Sequence, residues 1–534
     1  MISRVVITIV LSIACVAQSP APADHASAKS APASEQQPAV ADPMDAARSM
    51  LKAKKYADAT AAFRSIVEKD PAAMRAEVGL MQSLLHVGKV EDAEDAGKKA
   101  LAVLPNSPPL HAEVGDVEFR AGKFAEAEAE YRACLKLDET SARGWFGLGR
   151  MYEMLSMRKH AKDAYANAHD FDPKDEQIFQ HWLRFLSPAQ SLEAMKKWSG
   201  DHSDRESDYL KFLNAEVEKK PWVLVGEPKA QDIKMLPYGR HLAGVYDINR
   251  DGPMNISKGY GLEVKFNDRA SAVLLVDTGA GGITIGRKLA EKAGAVKIAN
   301  TFIFGIGDQG GVESYEAWID KIVIGGLEFH NCIVTVSSKN DVADEAGLIG
   351  PNVFRKFLVT LDFQNWKLRL GLLPKLPAAN GDSDDGPVDR YIAPEMQSFT
   401  RAYIFGHDLV IPVTVNDKGT GNFILDTGAD LNIMSPRLAS QVTEASNDHE
   451  YRMTGVSGKV TNVLTGKKAI LQFSKMRVES HELPVFSTDN ISASDGTEIS
   501  GFIGIRTLVQ MKMTIDYRDG LVDFKVYDFK QARE

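Results

Sequence analysis

Two short stretches constrain this chain more than any others: Val273-Leu274-Leu275-Val276-Asp277-Thr278-Gly279-Ala280 and Asn422-Phe423-Ile424-Leu425-Asp426-Thr427-Gly428-Ala429. Each is an apolar, β-prone run that delivers one acidic residue into a Thr-Gly turn. A buried strand reads as a continuous apolar run, so each aspartate stands where such a strand ends against the core. One carboxylate in that place is costly unless it is paired or put to use. Two of them, in matched settings, predict that they meet.

The match extends well beyond the triplets. The offset of 149 positions from Asp277 to Asp426 also carries Val264-Lys265-Phe266-Asn267-Asp268 onto Val413-Thr414-Val415-Asn416-Asp417. It carries Arg287-Lys288-Leu289-Ala290 onto Pro436-Arg437-Leu438-Ala439. Downstream, Gly347-Leu348-Ile349-Gly350 is answered by Gly501-Phe502-Ile503-Gly504, and an Asp follows the last glycine of each by twelve positions, at Asp362 and Asp516. The chain contains an internal duplication.

At these residues the chain resembles the aspartic proteases, and among them the retropepsin-like kind, over roughly residues 240 to 530. Each lobe of that family has an apolar strand, an Asp-Thr-Gly turn, a glycine-bearing flap hairpin and a later apolar-apolar-Gly element packed against the turn. The resemblance implies two all-β barrels, 241–374 and 400–534, with a linker over 375–399. It implies Asp277 and Asp426 as the catalytic pair, with Thr278, Gly279, Thr427 and Gly428 supporting the turns. Gly350 and Gly504 would close against those turns, while Gly305, Gly307 and Gly310 in one lobe and Gly455 and Gly458 in the other would lie in the flaps. It further implies a peptide or unfolded-protein substrate, and neither a metal nor an organic cofactor. One position departs from the family pattern, which usually places Ser, Thr or Asp after the alanine: lobe two has Asp430 there, lobe one Gly281. The missing side chain is expected to loosen the first aspartate.

Brought together, two carboxyl groups cannot both ionise easily and share a proton. The ionised member can then take a proton from water while the other polarises a carbonyl. The alternative is a non-catalytic peptide-binding scaffold that keeps its aspartates as vestiges. Pairing of the lobes within one chain is the expectation, because the linker raises the effective concentration of the second lobe. Pairing between chains is the other possibility.

Residues 44 to 176 carry a second repeat, of period 34, with Pro71, Pro105 and Pro173 on one lattice. In its last unit Trp145, Leu148 and Tyr152 would share one helix face, and Ala161, Tyr165 and Ala168 the face opposite. This spacing resembles tetratricopeptide repeats and predicts an all-α solenoid over 43–220. Phe179, Trp182, Leu183 and Leu186 read as the core of its capping helices. The solenoid offers a groove to a protein partner, or else serves as a spacer. Residues 221–240 show no period and read as a linker.

At the start of the chain, Arg4 precedes an apolar core too short to span a bilayer, which needs about 20 residues. Residues 1–17 therefore read as a secretory signal cut after Ala17, with lipidation at Cys15 or an uncleaved anchor as alternatives. Residues 18–42, rich in Ala, Pro and Ser, read as a disordered tether. Export to a bacterial periplasm or the medium is the expectation, and no other stretch approaches transmembrane length.

The formal charge of −9 leaves no basic face for a polyanion, so nucleic acid is not an expected partner. Of three cysteines, Cys134 and Cys332 fall in different domains, with no disulfide framework and no metal spacing. The run Gly305-Ile306-Gly307-Asp308-Gln309-Gly310 matches a dinucleotide fingerprint, but residues 311–319 read as a returning strand rather than the helix a pyrophosphate needs.

Overall fold

The computed structural model describes residues 42–198, 204–246, 253–308, 310–340, 342, 346–377, 386–447, 453–480 and 483–527. The segment read as a signal, and all of the segment read as a tether but Asp42, lie outside these residues. Asp42 itself caps helix Pro43–Lys52, its Oδ1 accepting from the Met44 N–H at 3.0 Å.

Eight helices from Pro43 to Phe171 pair as the period of 34 predicts. Small residues let rings close between them. A Cβ on Gly149 would stand 2.6 Å from the Tyr165 ring, and one on Gly115 the same distance from Tyr131. The turn inside each pair ends in a left-handed residue, again at spacing 34: Lys54, Gly88, Gly122 and Ser156, with φ of 63°, 74°, 76° and 57°. Helices Glu176–Leu183, Pro188–Trp198 and Asp204–Glu218 cap the stack, burying Phe179 and Leu183. Helix Asp204–Glu218 also packs Phe212 against Ala299 and Ile333 of lobe one. Cys134 and Cys332 are both buried and free.

The rest of the chain is almost wholly β. The first lobe is built on a nine-stranded sheet and the second on a ten-stranded one. Corresponding residues occupy corresponding places. Asn267-Asp268 and Asn416-Asp417 form left-handed turns, and the two Asn side chains donate to the Ala293 and Val442 carbonyls at 2.9 and 3.0 Å. Those carbonyls end the two short helices, Arg287–Ala293 and Pro436–Val442.

A third, six-stranded sheet joins the lobes. At its centre Phe357–Asp362 of lobe one runs antiparallel to Met511–Asp516 of lobe two, with Val359 opposite Ile515 and Leu361 opposite Met513. All four side chains are fully buried. At about 1.5–3 kcal/mol for each such side chain, this seam holds the lobes together within one chain. The core is continuous across it.

The described parts of two segments read as linkers belong to the fold. Within 221–240, Val223–Leu224 pairs with strand Leu327–Ser337, and Gln231–Lys234 forms an edge of the joint sheet. Strand Leu236–Tyr246, which begins there, pairs with Pro253–Phe266, so lobe one starts earlier than position 241. Short edge strands have too few residues to show a period, and their pairing is set by distant chain. In the second linker, residues 386–399 are pinned to lobe two: the Arg390 Nε donates to the Asp519 carbonyl at 2.6 Å, and Ala393 and Met396 are buried. Asp389 Oδ1 caps helix Arg158–Phe171, accepting from the Lys159 and His160 N–H groups at 2.9 and 3.2 Å.

The solenoid is not a free arm. Its inter-helix turns form an edge that seats on lobe two. The Glu498 N–H donates to the Arg120 carbonyl at 2.9 Å, Thr497 Oγ1 to the Phe119 carbonyl at 2.8 Å, and Asn422 Nδ2 to the Gly122 carbonyl at 3.3 Å. Phe124 meets Tyr403 edge-on at 4.7 Å, and Phe119 and Phe124 flank Phe405.

Candidate active site

Each aspartate is delivered by the same local construction. Strand Ala270–Val276 lies parallel to Gly347–Ile349, and strand Gly419–Leu425 parallel to Gly501–Ile503. The Asp277 N–H donates to the Ile349 carbonyl and the Asp426 N–H to the Ile503 carbonyl, both at 3.0 Å. The apolar-apolar-Gly elements thus hold the chain at the point where each turn begins. Their last glycines are compulsory: a Cβ on Gly350 would stand 2.0 Å from the Ala280 carbonyl oxygen, and one on Gly504 2.4 Å from that of Leu431. Ordinary packing leaves no room for either.

The two turns lock into each other. Thr278 Oγ1 donates to the Leu425 carbonyl at 2.6 Å and accepts from the Thr427 N–H at 3.0 Å. Reciprocally, Thr427 Oγ1 donates to the Val276 carbonyl at 2.8 Å and accepts from the Thr278 N–H at 3.0 Å. Both hydroxyls are buried and fully used. The glycines after them face the opposite carboxyl group: a Cβ on Gly279 would lie 2.9 Å from the Asp426 carboxyl carbon, and one on Gly428 2.5 Å from that of Asp277.

The carboxyl groups of Asp277 and Asp426 are hydrogen-bonded to each other. Desolvation in the cleft, then the charge of Asp426, holds the Asp277 carboxyl well above the ordinary carboxylate range. Asp426 is raised too by burial, but the hydrogen bond from Asp277 and two backbone N–H groups oppose it. Those N–H groups are Gly428 and Ala429, at 2.8 and 3.0 Å, whereas Asp277 accepts only that of Gly279, at 2.9 Å. Donors stabilise the charged form. The shared proton therefore rests on Asp277, and Asp426 is the ionised member.

A roof forms where two loops meet near the turns, Ile306 packing in the cluster that holds Ala429 and Val456 in that of Leu275 and Ala280. The loop holding Gly305 and Gly307, ahead of strand Val312–Ile324, meets the small hairpin Thr454–Gly455 and Gly458–Lys459 of lobe two. Ser457 N–H donates to the Ile306 carbonyl at 3.1 Å, and the Gly305 N–H to Ser457 Oγ at 3.2 Å. Gly307 and Gly455 touch the opposing backbone so closely that a Cβ on either would collide with it, at 2.4 and 2.2 Å. Gly458 has φ of 93° in its turn; Gly310, with φ of 74°, stands apart from these contacts. The dinucleotide-like run is thus one of two flap tips, followed by a strand.

Lobe two adds groups that the motif did not reveal. His407 and Asp408 stand at the turn between strands Tyr403–Phe405 and Asp408–Val415. Burial, then the charge of Asp426, pushes the Asp408 carboxyl well above its usual range, and burial with Asp408 does the same for Asp495. The Tyr517 hydroxyl is buried with no hydrogen-bond partner among the described residues, and burial with Asp277 and Asp408 pushes it up. In sequence, Tyr517 stands thirteen positions after Gly504 where lobe one has Phe363 after Gly350, and Asp495 stands six before Gly501 where lobe one has Asp341 before Gly347. Among the described residues no cluster of metal-ligating side chains occurs, and no helix is long and apolar enough to cross a membrane.

An aspartyl protease family model matches residues 262–353 and 411–507, and a tetratricopeptide repeat model matches residues 44–109 and 115–175. Similar solved structures include TTC0263, a thermophilic tetratricopeptide protein of Thermus thermophilus. It is 16% identical over 32% of this chain and 97% of its own, with a TM-score of 0.30. Pseudomonas aeruginosa PilF is 14% identical over 33% of this chain and 83% of its own, with a TM-score of 0.28. YrrB, described as having an unusual peptide-binding site, is 19% identical over 29% and 82%, with a TM-score of 0.22.

Proposed function

We propose that this chain, which carries two aspartyl protease segments behind a tetratricopeptide solenoid, is an exported endopeptidase working by water activation between Asp277 and Asp426. The observation that carries this reading is the asymmetry of the pair. Two carboxyl groups share one proton, and the backbone donors place the charge on Asp426.

In the reaction, Asp426 accepts a proton from a water held between the carboxyls as its oxygen attacks the scissile carbonyl carbon. Asp277 donates its proton to the carbonyl oxygen. The tetrahedral intermediate then collapses, a proton passes to the leaving nitrogen, and the carbon–nitrogen bond breaks. An extended peptide would lie beneath the two flaps and bond to their backbone as an added strand. Since Ser457 and Ile306 bond to each other across the roof, these tips must part to admit it. Export rests on the apolar segment before residue 18. The solenoid is read as the site of a protein partner or of substrate capture, by the part of its surface not seated on lobe two.

The test is hydrolysis of an unfolded protein and a mixed peptide library across pH 3 to 7. The chain from Gln18 onward is compared with Asp277→Asn and Asp426→Asn. Cleavage that disappears in both variants supports the shared pair. Binding of peptides without any cleavage by the unaltered chain would sink the enzyme reading in favour of a scaffold.

A further inference from the structure

The departure at Gly281 has a counterpart elsewhere in the fold. A Cβ at this position would stand 3.0 Å from both Cγ and Nδ1 of His407, a residue of lobe two. The imidazole ring occupies the space a side chain would need. Its Nε2 lies 3.0 Å from the Gly279 carbonyl oxygen. A carbonyl only accepts, so Nε2 carries the proton and donates. We propose that His407 is a positioning residue of the candidate active site: lobe two supplies it to hold the lobe-one turn through the Gly279 carbonyl, its ring filling the space that Gly281 leaves open. This rests on the endopeptidase reading for its kinetic consequences.

The hairpin that carries His407 is itself fixed from outside the protease lobes. Phe405, two residues earlier, packs between Phe119 and Phe124 of the solenoid at ring distances of 6.3 and 5.9 Å. Tyr403 meets Phe124. Strand Tyr403–Phe405 pairs with Asp408–Val415, so solenoid, hairpin and lobe-one turn form one continuous contact. Docking of the helical repeats thereby bears on the geometry of the aspartate pair.

The groups facing the ring are Asp408, the next residue in the chain, with Oδ1 3.6 Å from Nε2, Asp495 from helix Asp489–Asp495, and Asp426. Burial favours the neutral imidazole, opposed by Asp495, the Gly279 carbonyl and Asp426. When protonated, the ring favours the ionised form of Asp426. At the acidic pH where the ring is protonated, loss of His407 makes Asp426 harder to ionise, which shifts the acidic limb of kcat/KM to higher pH. A role confined to folding would not move that limb.

The experiment is a cycle in the full chain: His407→Ala, Gly281→Ser, and both together, with His407→Gln as a variant that keeps a donor. Misplacement of a reacting group lowers rate steeply, so each of the first two is expected to lower kcat at least about tenfold while KM stays within about threefold. In His407→Ala the acidic limb moves up. The double variant, in which the introduced hydroxymethyl group has the space left by the ring, recovers most of the loss, and His407→Gln retains more activity than His407→Ala. An unchanged kcat and acidic limb in His407→Ala, or a double variant no better than the worse single one, overturns the proposal. If the unaltered chain cleaves nothing, the endopeptidase reading has failed on its own account. Thermal unfolding of the same four variants then decides whether His407 holds the lobe-one turn: Tm losses that compensate in the double variant uphold it, and additive losses overturn it.

Discussion

The two lobes share one plan, and they differ at the pair of positions that follow the turn alanines. In lobe two Asp430 reaches out to Arg506, with bonds of 3.1 and 2.8 Å, and the pair is more than half exposed. In lobe one Gly281 stands in that place, and the ring of His407 covers it. The aspartates differ as well, since Asp426 accepts two backbone N–H bonds from its turn and Asp277 one. Duplication alone would make two equal carboxyls. Divergence of the lobes is what breaks the tie over which of them holds the proton. The side chain of Asp430 bonds to Arg506 rather than to its own turn, so Gly281 does not remove a bond that lobe two retains.

The comparison can be broken most directly at the pair itself. Asp277→Asn and Asp426→Asn should each lower turnover by about 10²–10⁴-fold in peptide hydrolysis, the range of a lost general acid or base. Mixing the two variants should restore nothing, because each lobe is already sealed to its partner in the joint sheet. The raised Asp277 also has a signature in stability. Its folded pKa lies above the unfolded value, so the native state keeps a proton that the unfolded chain releases. Stability from this group is fully present below about pH 4 and declines as pH rises above it. Asp277→Asn should flatten part of that decline in a series of melts from pH 4 to 8.

Next in size are the glycines under the carboxyls. Gly428→Ala brings a methyl to 2.5 Å from the Asp277 carboxyl carbon, and Gly279→Ala one to 2.9 Å from that of Asp426. Both should lose activity, Gly428→Ala the more, by roughly 10²-fold, since displacements near 1 Å carry that cost. Equal losses would show that the lobes tolerate strain alike.

Thr278→Ala and Thr427→Ala probe what the lobes have in common. Each removes a buried hydroxyl with two partners and strands a backbone group, a cost of about 1–3 kcal/mol in urea unfolding. The two values should agree, and Ser in either place should recover most of the loss. A clear inequality would mean that the reciprocal bonds are not equivalent. The smallest expected effect is that of Asp430→Ala, which removes an exposed ion pair worth about 0.2–1 kcal/mol. A larger loss would restore to Asp430 a role in holding its turn.

Much of this was legible in residues. The strands ending in Asp277 and Asp426 follow from apolar runs meeting Thr-Gly turns, and the Asn-Asp turns and short helices at 287–293 and 436–442 follow from local chemistry repeated at a fixed offset. The solenoid was equally visible through Trp145, Tyr165 and their lattice. Harder to see were the strands at 223–224 and 231–234. They are too short for a period, and they exist because distant strands offer them an edge. His407 and Asp408 left no mark, for their partners at the offset of 149 are Lys258 and Gly259, whereas Asp495 stands six positions before Gly501 as Asp341 does before Gly347.

By itself, then, the sequence determined the local forms and their duplication: where strands stop, which turns need glycine, and that two acids would occupy equivalent places. Such features depend on near neighbours in the chain and on apolar patterning, which residue order states directly. Only the tertiary structure decided which acid keeps the proton, that a lobe-two histidine fills the gap at Gly281, and that the helical repeats seat their turns on lobe two. Those outcomes depend on desolvation, on hydrogen-bond donors and on ring contacts between residues far apart in the chain. Distance in space sets them, and the order of residues does not state it.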